Sequence, residues 1–287
     1  MKKLLSIAVL IFFVTGISIS QDILESTGLS GDHFSLQGAL DLFQKYDNPE
    51  KFEEALNKEN NHVNNLDLNE DGETDYIRVV SHKEDDIRIF ILQAIVSENE
   101  SQDIAVIEIE KTKKDQATIQ IIGDEEIFGE AIIVEPADIS DKSENNQSEV
   151  VVNVYTWPMV SYIYSPAYSV WVSPYRWRYY PAWYTPWRIY EFHRWHPLCV
   201  RYHTPRVRIV STHRVIHAHR VYKPYRSTSV TVTKRYAPAR QEYKVKRTQT
   251  TIKGPAGNKA TKTTTTVTGP KGGKVKTSKT KVTKRKG

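Results

Sequence analysis

The chain has 287 residues, and its 40 lysines and arginines exceed its 34 acidic residues by only six charges. This near balance hides a strong asymmetry: residues 21–175 carry 10 basic against 32 acidic residues, whereas residues 176–287 carry 28 against two. An acidic module followed by a basic segment is typical of an interaction protein rather than an enzyme. The single cysteine, Cys199, excludes an internal disulfide, so the fold must depend on its core, a metal or a partner.

Residues 1–20 are predicted to form a secretory signal peptide. Two lysines precede an apolar run over residues 4–14, and small residues lie just before Gln21. The run is shorter than the roughly 20 residues that a membrane-spanning helix needs. We therefore expect an exported protein that is periplasmic, associated with the outer membrane or extracellular.

Residues 21–136 are predicted to form an acidic α+β domain that opens with two short helices. The first follows a Ser35 cap and has an apolar face made of Leu36, Ala39, Leu40 and Phe43. The second begins at Asn48-Pro49, an arrangement of cap and first helical residue that favours a helix start. Its buried residues are expected to be Phe52, Ala55 and Leu56.

From Tyr76 onwards, apolar residues alternate with polar ones, a pattern that predicts half-buried strands. The breaks between these runs are short and polar, which favours an antiparallel meander over crossover connections. A last strand, residues 131–135, ends at Pro136. The predicted fold class is α+β: two short helices packed on an antiparallel β-meander, followed by a largely extended or disordered aromatic and basic C-terminal half.

The remaining sequence divides by composition into three parts. Residues 137–149 form a polar linker, residues 150–203 are rich in Tyr, Trp and Pro, and residues 204–287 form a basic tail rich in Thr and Lys. Within the tail, a Gly-Pro turn sequence recurs after 15 residues, between Thr/Lys/Val alternations. These repeats are expected to be mostly disordered alone and β-like when bound.

Residues 67–75 contain the strongest chemical motif. Oxygen-bearing side chains occupy loop positions 1, 3, 5 and 9, and Gly72 stands at position 6, where a chain wrapping an ion must turn sharply. Calcium prefers six to eight oxygen ligands in a flexible cage. We expect a structural calcium ion that joins the helical pair to the sheet. The predicted ligands are Asp67, Asn69, Asp71, Glu73 (through its carbonyl oxygen) and Asp75.

This motif departs from the EF-hand, because position 12 is Arg78 and the loop continues into a strand. In both respects it resembles the shorter D-x-N-x-D-G-x-x-D calcium loops between strands of integrin-type propeller repeats, over nine residues only. The alternative is an acidic hairpin loop built on Asp71 and Gly72 without an ion. The five like charges in this tight loop repel each other, which favours a bound cation.

The Tyr/Trp/Pro-rich segment contains all six tryptophans. No charged residue occurs between Val150 and Tyr175, yet recurrent prolines exclude a regular membrane-spanning helix. Three interpretations remain open: a collar that packs on the folded domain or self-associates, contact with a membrane headgroup layer, or stacking on sugar rings or bases.

Basic residues from position 176 onwards are predicted to bind an anionic polymer or a membrane surface. Attachment of this kind is distributed, so we expect each residue to be individually dispensable and binding to weaken with salt. The predicted anion- or membrane-binding residues are Arg176, Arg178, Arg188, Arg194, Arg201, Arg206, Arg208, Arg214, Arg220, Lys234 and Arg235.

Six of the nine histidines lie between residues 193 and 219. His193 with His196, or His217 with His219, could share a face and bind a soft metal. The more ordinary interpretation is a set of surface histidines that add positive charge at acidic pH.

In layout the chain resembles secreted envelope proteins of Gram-negative bacteria, Bacteroidetes in particular. These combine a calcium-type loop, here residues 65–80 (NLDLNEDGETDYIRVV), with a Tyr/Trp/Pro-rich segment and a basic Thr-rich tail. The resemblance implies an envelope location and brings no activity with it.

These features together predict a non-enzymatic, exported cell-envelope protein. Its calcium-stabilised domain would serve as a scaffold, and its aromatic and basic regions would dock on anionic envelope polymer or membrane. Glycine-rich phosphate loops, nucleophile elbows and zinc-protease helices do not occur in the sequence. The alternatives are an extracellular nucleic-acid-binding protein and a structural protein that self-assembles by pairing acidic domains with basic tails. No small-molecule substrate is indicated.

Overall fold

The computed structural model describes residues 26–138, 150–253, 259–268 and 274–283, with side chains up to residue 243. The predicted signal peptide, nearly all of the predicted linker and both Gly-Pro turn sequences lie outside the described residues.

A six-stranded antiparallel sheet forms the centre of the molecule, with its strands in chain order. The predicted antiparallel meander is confirmed, because the alternating runs become neighbouring strands joined by short connections. The turns after β1 and β3 place Asp85 and Asp115 at φ values of 43° and 60°, a backbone region that aspartate tolerates better than most residues. The strands are β1 (Ile77–Glu84), β2 (Ile87–Ile95), β3 (Ser101–Lys113), β4 (Gln116–Gly123), β5 (Ile132–Pro136) and β6 (Val207–Val210).

Seven α-helices, rather than the two of the sequence prediction, occur in the described part of the chain. Their bounds are α1 (Leu36–Lys45), α2 (Pro49–Leu56), α3 (Glu125–Phe128), α4 (Pro158–Ile163), α5 (Phe192–Cys199), α6 (Ile216–Tyr222) and α7 (Val230–Glu242). Four single turns of 3-10 helix lie at Ser30–His33, Glu59–Asn61, Val200–Tyr202 and Lys223–Tyr225. The α+β class is therefore confirmed, while the limit of two helices is not, because five further helices occur in the described residues.

The first two helices begin where side-chain caps predict. The Ser35 hydroxyl accepts a hydrogen bond from the Gly38 amide at 3.0 Å, and the Asn48 side chain accepts one from Lys51 at 2.9 Å. Each bond satisfies a backbone donor that has no partner within the helix. Phe43 of α1 and Phe52 of α2 meet edge to face, with ring centroids 5.2 Å apart.

Both faces of the sheet are covered. On the first face, α1, α2 and α4 pack over a core that includes Phe90, Ile107 and Ile119. On the second face, a smaller cluster joins Ile89, Ile91, Val106, Ile122 and Ile133 to Val215, Ala218 and Tyr222 of the α6 region. The sheet is thus the middle layer of the fold rather than a wall with one side in water.

Residues 150–243 differ most from the sequence prediction, which expected an extended or disordered segment. Val154, Met159 and Tyr202 belong to the main core, and β6 pairs with β5. Cys199 is a buried free thiol, and burial raises its pKa to about 11. The apolar residues of this segment pack individually on the sheet and helices, so they follow no helical or strand period. For this reason the sequence pattern did not predict an ordered structure here.

The C-terminal backbone forms a separate three-stranded antiparallel sheet. Its strands are β7 (Lys244–Lys253), β8 (Lys259–Thr268) and β9 (Lys274–Thr283), paired in chain order. Together they contain ten lysines and arginines and no acidic residue.

Candidate functional site

The acidic loop, residues 67–75, is folded around its own oxygen atoms. The two carboxylate oxygens of Asp67 accept hydrogen bonds from the amides of Asp71 at 3.1 Å and Gly72 at 2.9 Å. The Asn69 side-chain oxygen accepts from Asp71 at 2.8 Å, and Asp71 accepts from the Glu73 amide at 2.9 Å. These contacts turn the predicted ligands towards the inside of the loop.

Backbone conformation explains why glycine is needed in this loop. Gly72 has φ of 86°, and a Cβ placed there would meet no atom within 4 Å. Any other residue would therefore be strained by its backbone rather than by crowding. Glu70 also takes a positive φ, 61°, so the loop reverses direction at two positions.

Asp75 is the buried member of the loop, with 5% of its surface exposed. Its carboxylate accepts a hydrogen bond from the Leu68 amide at 2.5 Å. Burial raises the pKa of Asp75 well above its ordinary value, and the charges of Asp67 and Asp71 raise it further. Burial is also the main reason that the pKa of Asp67 is raised. A cation at this loop would favour the ionised form of both groups.

The loop carboxylates do not converge on one point in this structure. Over the described residues, one group of three or more His, Cys, Asp or Glu side chains has ligand atoms all within 4.8 Å, and it is Glu108, His213 and His219. The oxygens of Asp67, Asp71 and Asp75 accept backbone amides instead. Calcium ligation by the loop remains a prediction, and it would require these side chains to turn towards a shared centre.

Residues from the aromatic segment hold one arm of the loop. The Thr74 amide donates to the Trp187 carbonyl at 2.9 Å, and the Ile189 amide donates to the Gly72 carbonyl at 3.3 Å. The Tyr184 hydroxyl donates to the Thr74 carbonyl at 2.6 Å. The aromatic segment is therefore bound to the acidic loop through its backbone.

Helix α7 holds the other arm. The Arg235 guanidinium donates to the Leu68 carbonyl, and its Nε atom lies 3.4 Å from a Glu70 carboxylate oxygen. The Tyr236 hydroxyl donates to the Asp67 carbonyl at 3.3 Å. Arg235, which the sequence assigned to anion binding, contacts the acidic loop of its own chain.

A buried carboxylate, Glu53, joins α2 to the aromatic segment and was not singled out from the sequence. Its exposed fraction is 1%. It accepts hydrogen bonds from the Tyr76 hydroxyl at 2.8 Å, the Ser173 hydroxyl at 2.6 Å, the Val79 amide at 2.9 Å and the Trp171 indole at 3.1 Å. Burial raises its pKa, and these four donors oppose the shift. Its partners lie as far as residue 173, so no local pattern could reveal the cluster.

Several arginines of the predicted anion-binding set are ion-paired within the chain. Arg208 Nη2 lies 2.7 Å and Arg214 Nε 3.0 Å from the two oxygens of buried Glu135. Arg201 donates to the carbonyls of Asn60 and Asn61. These contacts hold the C-terminal segment against the acidic domain. Part of the positive charge that was predicted to bind an external anion is therefore compensated within the chain.

Four other arginines of the set are exposed, and three of them lie against aromatic rings. The guanidinium of Arg176 is 4.9 Å from the Tyr179 ring, that of Arg178 is 5.8 Å from Trp177, and that of Arg194 is 5.6 Å from Tyr190. These groups form a cation–aromatic surface, which comprises the exposed arginines Arg176, Arg178, Arg188 and Arg194 and the rings of Trp177, Tyr179, Trp183 and Tyr190.

The cation–aromatic surface presents both charge and ring area to solvent. Within the described ranges, no carboxylate lies within 4.0 Å of these four guanidinium groups. Tyr179 is 58% exposed and Trp183 is 40% exposed. Arg206, Arg220 and Lys234, which complete the predicted set, are exposed elsewhere on the chain.

A cavity of about 920 Å³ opens between α1 and residues 201–207. Its lining includes the basic residues Lys45, Arg201 and Arg206, and Lys45 pairs with Asp41 at 2.6 Å. Neither histidine, cysteine nor serine is among its lining residues in the described chain. The lining also includes the carboxylates of Asp41 and Asp138 and the hydroxyl of Thr204, so the cavity carries groups of both charges.

None of the helices in the described ranges combines the length and the apolar character needed to cross a membrane. Comparison with protein-family models, with curated proteins and with solved structures finds no match to this chain.

Proposed function

We propose that this protein is a non-enzymatic, exported cell-envelope protein that docks on an anionic polymer or membrane surface. The observation that carries the proposal is the cation–aromatic surface. Its four arginines face solvent without a carboxylate partner in the described chain, and three of them lie over the exposed ring of Tyr179 or the half-buried rings of Trp177 and Tyr190. Arginine with tyrosine or tryptophan suits a headgroup layer, where rings sit half in water and guanidinium groups meet phosphates.

The C-terminal sheet would add a second basic element. Strands β7–β9 contain ten lysines and arginines without an acidic residue. Two separate basic elements on one chain raise the effective concentration of each at a charged surface. Docking would therefore be distributed and steeply dependent on salt.

The acidic loop would act as a structural calcium site that supports the docking surface. Thr74 and Gly72 of the loop are hydrogen-bonded to Trp187 and Ile189, which flank Arg188. A cation that orders the loop would also order this part of the cation–aromatic surface. We propose that calcium strengthens docking through this contact.

Nucleic-acid binding is the second candidate function. The exposed ring of Tyr179, which lies beside Arg176, and the exposed ring of Trp183 also suit stacking on bases of a single strand. Self-assembly by pairing of acidic domain and basic tail receives less support, because Glu135, Asp124 and Glu126 already pair with arginines of their own chain.

Co-sedimentation tests the proposal directly. The chain from Gln21 onwards would be mixed with phosphatidylcholine vesicles, with vesicles containing phosphatidylglycerol, with lipopolysaccharide and with single-stranded DNA, each across a salt series. We expect binding to the anionic vesicles and lipopolysaccharide that falls with salt. Each basic residue near an anionic membrane contributes about 1 kcal/mol, so replacing all four arginines by glutamine should weaken binding by up to roughly a thousandfold.

A matched control removes the same charge elsewhere. The substitutions Arg206→Gln, Arg220→Gln, Lys223→Gln and Lys234→Gln also remove four positive charges from exposed positions. Equal losses in the two quadruple variants would mean that net charge alone drives docking and that the cation–aromatic surface has no special role. Binding to DNA but not to vesicles or lipopolysaccharide would replace the proposal by its second candidate.

A further inference from the structure

A buried glutamate lies on the second face of the sheet, away from the acidic loop in sequence. Glu108 of β3 is paired in register with Ile89 of β2 and with Gln120 of β4. All three residues have an exposed fraction of 0%. A carboxylate enclosed by neighbouring strands is costly unless hydrogen-bond donors or a positive group compensate it.

A second buried carboxylate of the sheet, Glu135, is compensated by positive charge. Glu135 is paired with Arg208 and Arg214, which are permanent cations. Glu108 contacts two imidazoles instead: His213 Nε2 lies 2.8 Å from Oε2, and His219 Nδ1 lies 2.8 Å from Oε1. An imidazole compensates a carboxylate by charge only when it is protonated, whereas a divalent metal ion does so with both imidazoles neutral.

The geometry of the three side chains is close to that of a metal site. Their ligand atoms lie within 4.8 Å of one another, and the two imidazole rings are 4.8 Å apart at an interplanar angle of 74°. Tetrahedral zinc with bonds of about 2.0–2.1 Å places its ligand atoms roughly 3.3 Å apart. Each nitrogen–oxygen contact of 2.8 Å would therefore need to lengthen by about half an ångström, and ligand atoms as far apart as 4.8 Å would need to approach by about 1.5 Å.

The fold holds the two histidines in place from opposite ends of one short segment. His219 belongs to α6, which packs on the sheet through Val215, Ala218 and Tyr222. His213 lies between β6 and α6, and the next residue, Arg214, donates its amide to Gln120 at 2.8 Å. Both imidazoles are thus positioned over Glu108 by contacts that do not depend on a metal.

We propose that Glu108, His213 and His219 bind one divalent transition-metal ion of the zinc class. Two imidazole nitrogens and one carboxylate oxygen form a donor set that suits zinc, whereas calcium prefers oxygen alone. The histidine side chains are 25% and 30% exposed, so water or an external anion completes the coordination. The ion would tie β3 to the segment between β6 and α6. This site uses no residue of the acidic loop or of the cation–aromatic surface, so it stands apart from the proposed function.

Zinc titration of the untagged chain from Gln21 onwards tests the inference. Competition with a chromophoric chelator would measure stoichiometry and affinity, and Co²⁺ in place of zinc would report tetrahedral coordination through its absorption. We expect one tight equivalent in the wild type. The double variant His213→Ala/His219→Ala should lose it, and the control His193→Ala/His203→Ala, which removes two exposed histidines, should keep it.

A conservative variant distinguishes loss of zinc binding from loss of folding. Glu108→Gln preserves shape and one acceptor oxygen, and it should weaken zinc binding by at least about tenfold with an unchanged circular dichroism spectrum. Asp71→Asn in the acidic loop should leave the zinc affinity unchanged. The inference is overturned if the wild type binds no zinc equivalent, if His213→Ala/His219→Ala binds as tightly as wild type, or if Asp71→Asn removes the equivalent instead.

Discussion

Replacement of Glu53 tests how the aromatic segment is fastened to the helices. Oε2 of Glu53 accepts from the Val79 amide and the Trp171 indole, which can only donate. Oε1 accepts from the hydroxyls of Tyr76 and Ser173, which can also accept. The two oxygens therefore face partners of different kinds, and glutamine and alanine should differ sharply in their effects.

Glutamine can form one hydrogen bond with each of the four partners. Its amide oxygen would take the place of Oε2 and its NH2 group that of Oε1, so that it donates to both hydroxyls after they rotate. We expect Glu53→Gln to change the free energy of unfolding by about 1 kcal/mol or less, since the number of hydrogen bonds is conserved.

Alanine leaves two buried or half-buried donors without an acceptor. An unsatisfied donor costs about 1–3 kcal/mol, and water can reach the half-buried Trp171 indole, so we expect Glu53→Ala to lower the free energy of unfolding by about 3 kcal/mol. Glu50→Ala, at an exposed position on the same helix, is the control and should change it by no more than about 1 kcal/mol.

Urea unfolding followed by tryptophan fluorescence would measure these differences at constant pH. Equal losses for Glu53→Gln and Glu53→Ala would show that the carboxylate charge, rather than the pattern of donors and acceptors, holds the segment. No loss for Glu53→Ala would show that the aromatic segment does not depend on this cluster.

Three further predictions concern other parts of the molecule. Burial raises the pKa of Asp103 from 3.8 to about 6, so its protonated form favours the folded state. The free energy of unfolding of the wild type relative to Asp103→Asn should therefore fall by up to about 3 kcal/mol as pH rises from 3.8 to 6, and stay level above pH 6. A difference in urea unfolding that stays constant across that range would contradict this. Gly72→Ala would meet no steric clash but has a φ of 86°, so we expect the free energy of unfolding to fall by about 1 kcal/mol. Gly31→Ala brings a Cβ within 2.9 Å of the Ile127 carbonyl oxygen and should lower it by about 2–3 kcal/mol. The reverse order of the two denaturant midpoints would refute this reasoning. Calcium at a hundredfold excess over its dissociation constant should stabilise the wild type by about 2.7 kcal/mol. The control Asp115→Asn, outside the loop, should gain the same amount, and Asp71→Asn should gain none. An equal thermal shift in all three proteins would exclude the loop as the calcium site.

Local patterns predicted the elements that depend on local physics. Ser35 and Asn48 mark helix starts because a side-chain oxygen satisfies a backbone donor three residues away. Strands β1–β5 were predicted from alternating apolar and polar residues and from short polar turns. The period of two depends on the strand backbone and not on which segment packs against the sheet. Gly72 was identified from its loop position, and the structure gives it the positive φ that such a turn requires.

The site residues divide differently. Asp67, Asn69 and Asp71 are neighbours in sequence, so their shared loop was visible as a motif. His213 and His219 were visible only as members of a histidine-rich stretch, and the sequence paired His219 with His217 because spacing suggested a shared face. In the structure His219 meets His213 over Glu108, more than 100 residues earlier, and no periodicity connects those positions.

The sequence by itself determined the α+β class, the antiparallel order of the first five strands, the helix caps and the turn of the acidic loop, because each depends on residues a few positions apart. Only the tertiary structure decided that residues 150–243 cover the sheet and that Glu108 lies beneath two histidines. It also decided which arginines are used within the chain. Arg208, Arg214 and Arg235 contact the acidic domain, whereas Arg176, Arg178, Arg188 and Arg194 remain exposed. Charge composition is a sum over residues and states how much positive charge the chain carries. Which charges are compensated within the molecule depends on distances that only the folded chain sets.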